Sequence, residues 1–291
     1  MSTVTPIPPT QRVTTVVNRS VAYEIDDQGP LHGPVIVLLH GFPQTAASWN
    51  LTRTALHRMG FRTVAFDQRG YGSRAQPRGR WAYRMAALVS DVAAVIESLR
   101  PAQVSLVGHD WGASVAWSLA ARHPDLIRSL VTVSVPHRRA FVRSLFTSDQ
   151  ARRSYYMAVF QIPWLPEFAA RRRPDLVRRI LRKTGMSPTQ ADRVAREFVP
   201  TRALTGGLNW YRAMALSNPA FGRTVTVPTT HVWSRHDDAL VRAGAELCAG
   251  HVSADYHLEV LHGSHWIPDE HPTTLARIIA ARVTSTFTLS T

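Results

Sequence analysis

Short apolar runs alternate along the chain with longer segments in which apolar residues recur every three or four positions. The short runs predict strands at 34–39, 61–66, 103–107, 127–135, 229–233 and 256–261. The longer segments predict helices at 47–59, 85–99, 111–122, 239–249 and 273–283. Because strands that alternate with helices at short spacing form a parallel sheet covered on both faces, the pattern predicts an α/β fold. Two further strands, at 12–17 and 21–25, are typical of an antiparallel hairpin before that sheet.

The alternation stops between about His137 and Pro228, where the sequence is helical in character and rich in Tyr, Trp, Pro and Arg. A helical insertion between two strands of a sheet is typical of a lid or cap. Ligands of such sheets bind beyond the carboxyl ends of the strands, so a cap inserted at that edge would cover the site. We predict a first core segment at 1–136, a cap at 137–224 and a second core segment at 225–291.

The net charge of +14 comes almost entirely from arginine, since Lys183 is the only lysine. The densest basic run, from Ala170 to Lys183, contains few aromatic residues for base stacking, and no nucleic-acid-binding motif is visible. We interpret the arginine content as genome composition and expect neither a nucleic-acid partner nor membrane contact. Oligomeric state stays open between a monomer and a homodimer.

The N-terminal sequence and the cysteine content bear on the cellular compartment. The first ten residues lack the basic and apolar regions of a signal peptide, and the apolar run Val35–Leu39 is far shorter than a membrane span. The lone Cys248 rules out a disulfide within the chain and fits a reducing compartment. We therefore expect a cytoplasmic protein.

Three ionisable residues follow the ends of predicted strands. Asp110 lies in Gly-His-Asp-Trp-Gly, between the strand at 103–107 and the helix at 111–122, where many hydrolases place a nucleophilic serine. Asp237 follows the strand at 229–233, and His265 follows the strand at 256–261. The order nucleophile, acid, histidine is that of the α/β-hydrolase triad, so the fold predicted is an α/β-hydrolase fold.

Each of these residues also has a structural interpretation. Asp110 could cap the helix that follows it, because aspartate accepts hydrogen bonds from the first free N–H groups of a helix. Asp237 could be a solvated loop carboxylate, and its neighbour Asp238 is a competitor for the role of triad acid. His265 could be a surface histidine, since the chain has 13. The agreement of three positions in order and topology favours the triad.

A second loop supports this site. The sequence His-Gly-Phe-Pro, 40–43, follows the strand at 34–39. The backbone N–H groups of Phe42 and Trp111 could form an oxyanion hole with two donors, as in other proteins with this elbow.

Four segments together resemble the α/β-hydrolase-fold epoxide hydrolases, and the similarity extends from about Arg12 to Val283. They are His-Gly-Phe-Pro, Asp-Gln-Arg-Gly-Tyr-Gly-Ser (67–73), Gly-His-Asp-Trp-Gly-Ala (108–113) and Gly-Ser-His-Trp-Ile-Pro-Asp-Glu-His-Pro (263–272). Haloalkane dehalogenases share the segment around Asp110, so that segment alone does not separate the two families. In dehalogenases an asparagine tends to stand where this chain has Phe42, which argues against dehalogenation. The resemblance also predicts a cis Phe42–Pro43 bond.

The resemblance implies two cap tyrosines that donate hydrogen bonds to the epoxide oxygen. One is Tyr156, in Ser-Tyr-Tyr-Met-Ala-Val-Phe-Gln, with Tyr155 as its alternative. The other is Tyr211, in Leu-Asn-Trp-Tyr-Arg.

The implied activity is hydrolysis of a small hydrophobic epoxide to a vicinal diol, through an ester on Asp110. We expect no cofactor and no metal, because the histidines show no ligand spacing. The aromatic residues Phe42, Trp111, Trp164 and Trp210 are predicted to line an apolar pocket. Two alternatives stay open: a haloalkane dehalogenase with the same nucleophile, and a non-catalytic scaffold that binds a ligand.

Overall fold

The computed structural model describes residues 11–99, 103–217 and 222–288, and in this part of the chain the strands form one sheet. The strands are β1 Thr15–Asn18, β2 Val21–Gln28, β3 Val35–Leu39, β4 Arg62–Phe66, β5 Val104–His109, β6 Ile127–Val133, β7 Thr229–Ser234 and β8 Tyr256–Leu261. Their order across the sheet is β1-β2-β4-β3-β5-β6-β7-β8. The pairs β1–β2 and β2–β4 are antiparallel, and the other neighbours are parallel. The predicted α/β-hydrolase architecture is confirmed.

The helices of the core cover both faces of this sheet. They are α1 Asn50–Arg58, α2 Met85–Leu99, α3 Trp111–Arg122, α11 Arg242–Leu247, α12 Ile267–Glu270 and α13 Pro272–Thr288. Helices α2 and α3 pack together on one face, while α1 and α13 pack together on the other. The central strands β3 and β5 are buried almost throughout because they are covered from both sides.

The described residues between β6 and β7 form no strand of the sheet. Their helices are α4 Arg138–Thr147, α5 Gln150–Arg153, α6 Tyr155–Gln161, α7 Leu165–Arg172, α8 Pro174–Lys183, α9 Pro188–Arg193 and α10 Arg202–Arg212, with a π-helical turn at Val194–Phe198. This is the region in which the sequence predicts a cap. The predicted limits of the cap, residues 137 and 224, stay predictions.

Local hydrogen bonds explain where predicted and observed elements differ. The helix predicted at 239–249 begins only at Arg242, because Asp237 Oδ1 accepts the N–H groups of Ala239 and Leu240 at 2.8 and 2.9 Å and holds them in a turn. The helix predicted at 47–59 starts as a 3-10 turn, Ala46–Trp49, before α1. These differences leave the order of elements unchanged.

Five neighbouring parallel strands end at the same edge of the sheet. Phe42 follows β3, Asp110 follows β5, Ser134 follows β6, Asp237 follows β7 and His265 follows β8. Since the carboxyl ends of parallel strands meet at one edge, residues far apart in sequence come together there. None of the described helices is long and apolar enough to cross a membrane.

Candidate active site

Asp110 occupies a sharp turn between β5 and α3. Its backbone has φ 52° and ψ −120°, a conformation that residues with a side chain rarely adopt. Two glycines make the turn possible: a Cβ on Gly108 would lie 2.3 Å from Gly112 O, and one on Gly112 would lie 2.2 Å from Leu39 O. The strained turn presents the carboxylate at the edge of the sheet, as in a nucleophile elbow.

The Asp110 carboxylate is held by backbone donors. Oδ1 accepts the Phe42 N–H at 2.7 Å, and the Trp111 N–H is a second hydrogen-bond donor to the carboxylate. These are the two groups that the sequence predicts for an oxyanion hole. The Phe42–Pro43 peptide bond is cis, as predicted.

His265 lies between two carboxylates. Its Nδ1 is 2.9 Å from Asp237 Oδ2, and its Nε2 is 3.4 Å from Asp110 Oδ2. Asp238 is exposed, so the partner of His265 is Asp237. The second oxygen of Asp237 is fixed by the turn at Ala239 and Leu240, which leaves Oδ2 for the imidazole.

The two aspartates and His265 stabilise one another's charged forms. Burial alone would lower the pKa of His265, but the two carboxylates, with Asp237 the stronger, raise it to about 10. Burial alone would raise the pKa of the Asp110 carboxyl, but hydrogen bonding and charge from His265 outweigh it and lower that pKa. At neutral pH the resting site therefore holds an imidazolium between two carboxylates.

Two residues that the sequence analysis missed hold the backbone of His265. His109 Nε2 donates to the carbonyl oxygen of His265 at 2.8 Å, and Ser134 Oγ donates to the same oxygen at 3.2 Å. Burial, with a smaller contribution from His265, lowers the pKa of His109 to about 4, so its ring is neutral. His109 adjoins Asp110 in sequence, which was an available signal, whereas nothing in the sequence marks Ser134.

The two tyrosines predicted from the cap line the same cavity as Asp110. Tyr211 on α10 is buried, Tyr156 on α6 is half-buried, and their ring centroids are 6.1 Å apart. Burial first, and then the negative charge of Asp110, raises the pKa of both phenols above the ordinary value. The alternative residue, Tyr155, is 71% exposed and faces away from the cavity.

Helices α6 and α10 are fastened to each other by bonds that the sequence did not reveal. Gln161 Nε2 donates to Tyr211 O at 3.0 Å, and Arg212 donates to Phe160 O and Ile162 O, each at 3.0 Å. Arg212 also forms a buried ion pair with Glu167, with N–O distances of 2.7 and 2.9 Å. These bonds fix the spacing of the two tyrosines.

A cavity of about 110 Å³ is shared by Asp110 and the cap tyrosines. Asp110, Trp111, Tyr156, Trp210 and Tyr211 all line it. The rest of its wall is mainly apolar and includes Met85, Leu88, Val135, Pro136, Phe141, Met157, Met214 and Leu240.

Two predicted pocket residues lie elsewhere. Trp164 is 82% exposed at the start of α7, so the prediction that it lines the pocket is wrong; its backbone is left-handed there (φ 60°) and Glu167, one turn later, takes the buried position. The ring of Phe42 is also not part of the cavity wall, because it packs behind Tyr211 against Phe160 and Phe198.

No group of three or more metal-ligating side chains is assembled within residues 11–99, 103–217 and 222–288. The expectation that no metal or cofactor takes part stays a prediction.

Comparison with known proteins places this architecture in a family. Residues 34–272 match the family model of the alpha/beta hydrolase fold. Epoxide hydrolase 3 of Xenopus tropicalis is 32% identical over 263 residues, which are 86% of this chain and 71% of the relative. AB hydrolase superfamily protein YfhM of Bacillus subtilis is 31% identical over 272 residues, 91% of this chain and 95% of the relative. The chain belongs to the epoxide hydrolase family of the α/β-hydrolase fold.

A solved structure shows the same likeness. The crystal structure of epoxide hydrolase A from Mycobacterium thermoresistibile superposes with a TM-score of 0.79 at 25% sequence identity. The match covers 93% of this chain and 97% of that one.

Proposed function

We propose that this protein hydrolyses a small hydrophobic epoxide to a vicinal diol, without a cofactor, through an ester on Asp110. The observation that carries the proposal is the composition of one cavity wall. Asp110 at the end of β5 and the two tyrosines on α6 and α10, Tyr156 and Tyr211, line the same mainly apolar cavity. The reaction class is supported by the similarity to a relative named epoxide hydrolase 3 and to the structure of a protein named epoxide hydrolase A.

The reaction explains why a carboxylate occupies the elbow. An epoxide has no carbonyl group, so the nucleophile attacks a saturated carbon. A serine would then form a stable ether, which water does not cleave under these conditions. A carboxylate forms an ester, and water can hydrolyse an ester at its carboxyl carbon.

Ring opening needs a nucleophile and a proton donor on opposite sides of the substrate. Asp110 Oδ1 is engaged by the Phe42 N–H, which leaves Oδ2 to attack the epoxide carbon. As the C–O bond of the ring breaks, its oxygen becomes an alkoxide and takes a proton from Tyr156 or Tyr211. Because the pKa of both phenols is raised, both are protonated at neutral pH and can donate.

Ester hydrolysis needs a base, and formation of the ester produces one. Once Asp110 is alkylated it is neutral, so one of the two carboxylates that raise the pKa of His265 is lost. The imidazolium can then release its proton, which restores the phenol that protonated the alkoxide. Neutral His265 takes a proton from the attacking water while Asp237 orients the ring, so His265 is protonated again when Asp110 is freed as a carboxylate. The oxyanion forms on Oδ1, next to the N–H donors of Phe42 and Trp111.

Isotope labelling tests this sequence of bonds. In a single turnover in H₂¹⁸O with protein in excess over styrene oxide, the diol should contain no ¹⁸O. The peptide that contains Asp110 should gain one ¹⁸O atom, because Oδ2 leaves with the diol and water replaces it. Label in the diol of the first turnover would contradict the ester. The Asp238→Asn protein is the matched control and should behave like the unmodified protein.

Two outcomes would assign the site otherwise. Halide release from brominated alkanes without epoxide turnover would identify a dehalogenase that uses Asp110. If the protein shows no turnover and forms no covalent adduct on Asp110, it is a ligand-binding scaffold. A cytoplasmic location and a monomeric or homodimeric state stay predictions, and the free, buried Cys248 agrees with a reducing compartment.

A further inference from the structure

One outer segment of the cap, residues 162–183, combines exposed apolar side chains with a high density of positive charge. We call this segment the cap strip; it begins just after α6 and contains α7 and α8. Ile162, Trp164, Leu165 and Phe168 have exposed fractions of 44% to 82%. Single exposed apolar residues are ordinary, but four within seven residues indicate a surface made for contact.

The apolar and basic residues of the cap strip share helix faces. On α8, four exposed residues, Leu176, Arg179, Ile180 and Lys183, occupy positions i, i+3, i+4 and i+7, so they lie on one outer face. On α7, the guanidinium of Arg172 lies 5.3 Å from the ring centroid of Phe168. Aliphatic, aromatic and guanidinium groups are therefore presented together.

The cap strip is positive after its internal pairs are considered. It contains seven basic residues: Arg171, Arg172, Arg173, Arg178, Arg179, Arg182 and Lys183. Its two acidic residues are neutralised, since Glu167 pairs with Arg212 in the interior and Asp175 pairs with Arg178. Within the described ranges, no carboxylate lies within ion-pair distance of the exposed side chains of Arg172, Arg173, Arg179, Arg182 or Lys183.

We propose that the cap strip docks on the surface of an anionic phospholipid membrane. The arginines and Lys183 would contact lipid phosphates, while Trp164, Phe168 and Ile180 enter the boundary between headgroups and acyl chains. This reverses the sequence-based expectation of no membrane contact, because the sequence does not show which apolar residues of the cap are exposed. The proposal concerns binding alone and does not depend on the proposed reaction.

Charge and side-chain type favour lipid over two other occupants. A second copy docked through a two-fold axis would place this positive surface against itself. A nucleic acid would use the arginines and the aromatic rings, but Ile162, Leu165, Leu176 and Ile180 offer neither stacking surfaces nor hydrogen bonds. Of these three occupants, only a lipid surface uses the anionic contacts and the aliphatic ones together.

Co-sedimentation of the full chain with vesicles tests the proposal. One set of vesicles is phosphatidylcholine alone, and the other is three parts phosphatidylcholine to one part phosphatidylserine. The protein should bind the second set and not the first. Arg179→Ser/Arg182→Ser/Lys183→Ser should weaken that binding roughly 100-fold, because each basic residue near the surface contributes about fivefold. Trp164→Ser/Phe168→Ser should weaken it about 10-fold or more.

Matched variants on the core control for charge and aromatic content. Arg58→Ser/Arg78→Ser/Arg80→Ser removes the same number of exposed charges outside the cap. Trp81→Ser removes an exposed tryptophan that, like Phe168, has an arginine near its ring, with Arg84 at 5.0 Å. Both proteins should bind anionic vesicles within about twofold of the unmodified protein, and melting temperatures should show that every variant is folded.

Three results would overturn the proposal. The first is equal binding, or none, to the two kinds of vesicle. The second is an equal loss of binding in the core and cap-strip variants. The third is a different occupant: a dimer in light scattering that Trp164→Ser/Phe168→Ser converts to a monomer, or tighter binding of single-stranded DNA than of vesicles with the same dependence on the cap strip.

Discussion

The core side and the cap side of the cavity hold their reactive groups by different means. On the core side, Asp110 and His265 are fixed by bonds from the backbone or to it: Phe42 N–H to the carboxylate, and His109 and Ser134 to the carbonyl oxygen of His265. These donors come from the ends of neighbouring strands, which the sheet holds in register.

On the cap side, the phenols are placed by ring packing, and their helices are held together by side-chain bonds to backbone carbonyl oxygens and by one ion pair. Tyr156, Phe160 and Tyr211 contact one another through their rings, and Arg212 with Glu167 fastens α6 and α7 to α10. The outer surface of these helices is largely exposed. Under the proposed reaction, hydrolysis of the ester would use groups fixed by the sheet, whereas ring opening would also depend on how α6 and α10 pack.

The largest expected effect separates the two half-reactions on the core side. His265→Gln should lower steady-state turnover on the order of 10⁴-fold, because the base for ester hydrolysis is lost. Ring opening should persist, so intact-protein mass spectrometry should show one alkyl adduct on Asp110. The control is His236→Gln, which changes an exposed histidine in the loop after β7 and should retain turnover. An unmodified mass after incubation with epoxide would contradict the division of roles.

The next effect concerns the cap side. Tyr156→Phe/Tyr211→Phe should slow ring opening about 10³-fold, because no phenol remains to protonate the leaving oxygen. The adduct should then fail to accumulate even when His265→Gln is added. Rapid-quench measurement of adduct formation provides the rate. Tyr155→Phe is the matched control, and near-normal adduct formation in the double variant would refute the assignment of the phenols.

Loss of the ion pair between Glu167 and Arg212 should have a smaller effect, on both stability and ring opening. Glu167→Gln leaves Arg212 buried without its carboxylate and should destabilise the protein by about 3 kcal/mol in urea denaturation. Ring opening should slow about 10-fold, and hydrolysis of the ester should not change, because only the phenols shift. Glu246→Gln breaks an exposed pair with Arg242 and should alter stability by less than about 0.5 kcal/mol. A loss confined to ester hydrolysis would contradict the comparison.

The last prediction concerns the pH dependence of stability on the core side. The pKa of His265 is raised to about 10 in the folded protein, above its ordinary value of about 6.5. A raised pKa stabilises the folded state fully below about pH 6.5, and this contribution is lost as the pH rises through about 10. The melting temperature should therefore fall more steeply from pH 7 to 10 in the unmodified protein than in His265→Gln. Parallel slopes would contradict the imidazolium between two carboxylates.

The sequence predicted the fold well because the signals involved are local. Continuous apolar runs mark buried strands, and Gly108, Asp110 and Gly112 mark the elbow, whatever the rest of the chain does. The limits of elements were less well predicted: α11 starts late because Asp237 bonds the backbone beyond it, and such a competing turn leaves no mark on the apolar pattern.

The cap shows where prediction from the sequence failed. Trp164 was expected in the pocket because it is a large aromatic residue, yet it lies on the outer surface. On a helix, neighbouring residues point about 100° apart, so the side that faces inward depends on what the helix packs against. The same reason separates half-buried Tyr156 from exposed Tyr155, and it left the cap strip unseen until the exposure of its side chains was known.

The sequence by itself determined the order of strands and helices in the core, the site of the elbow and the residues that follow each strand end. It could do so because apolar periodicity and turn chemistry act over a few residues. Only the tertiary structure decided that Asp237, and not Asp238, meets His265, that His109 and Ser134 bond its carbonyl, and that Arg212 meets Glu167. These contacts join residues distant in the chain, and their formation depends on how whole elements pack.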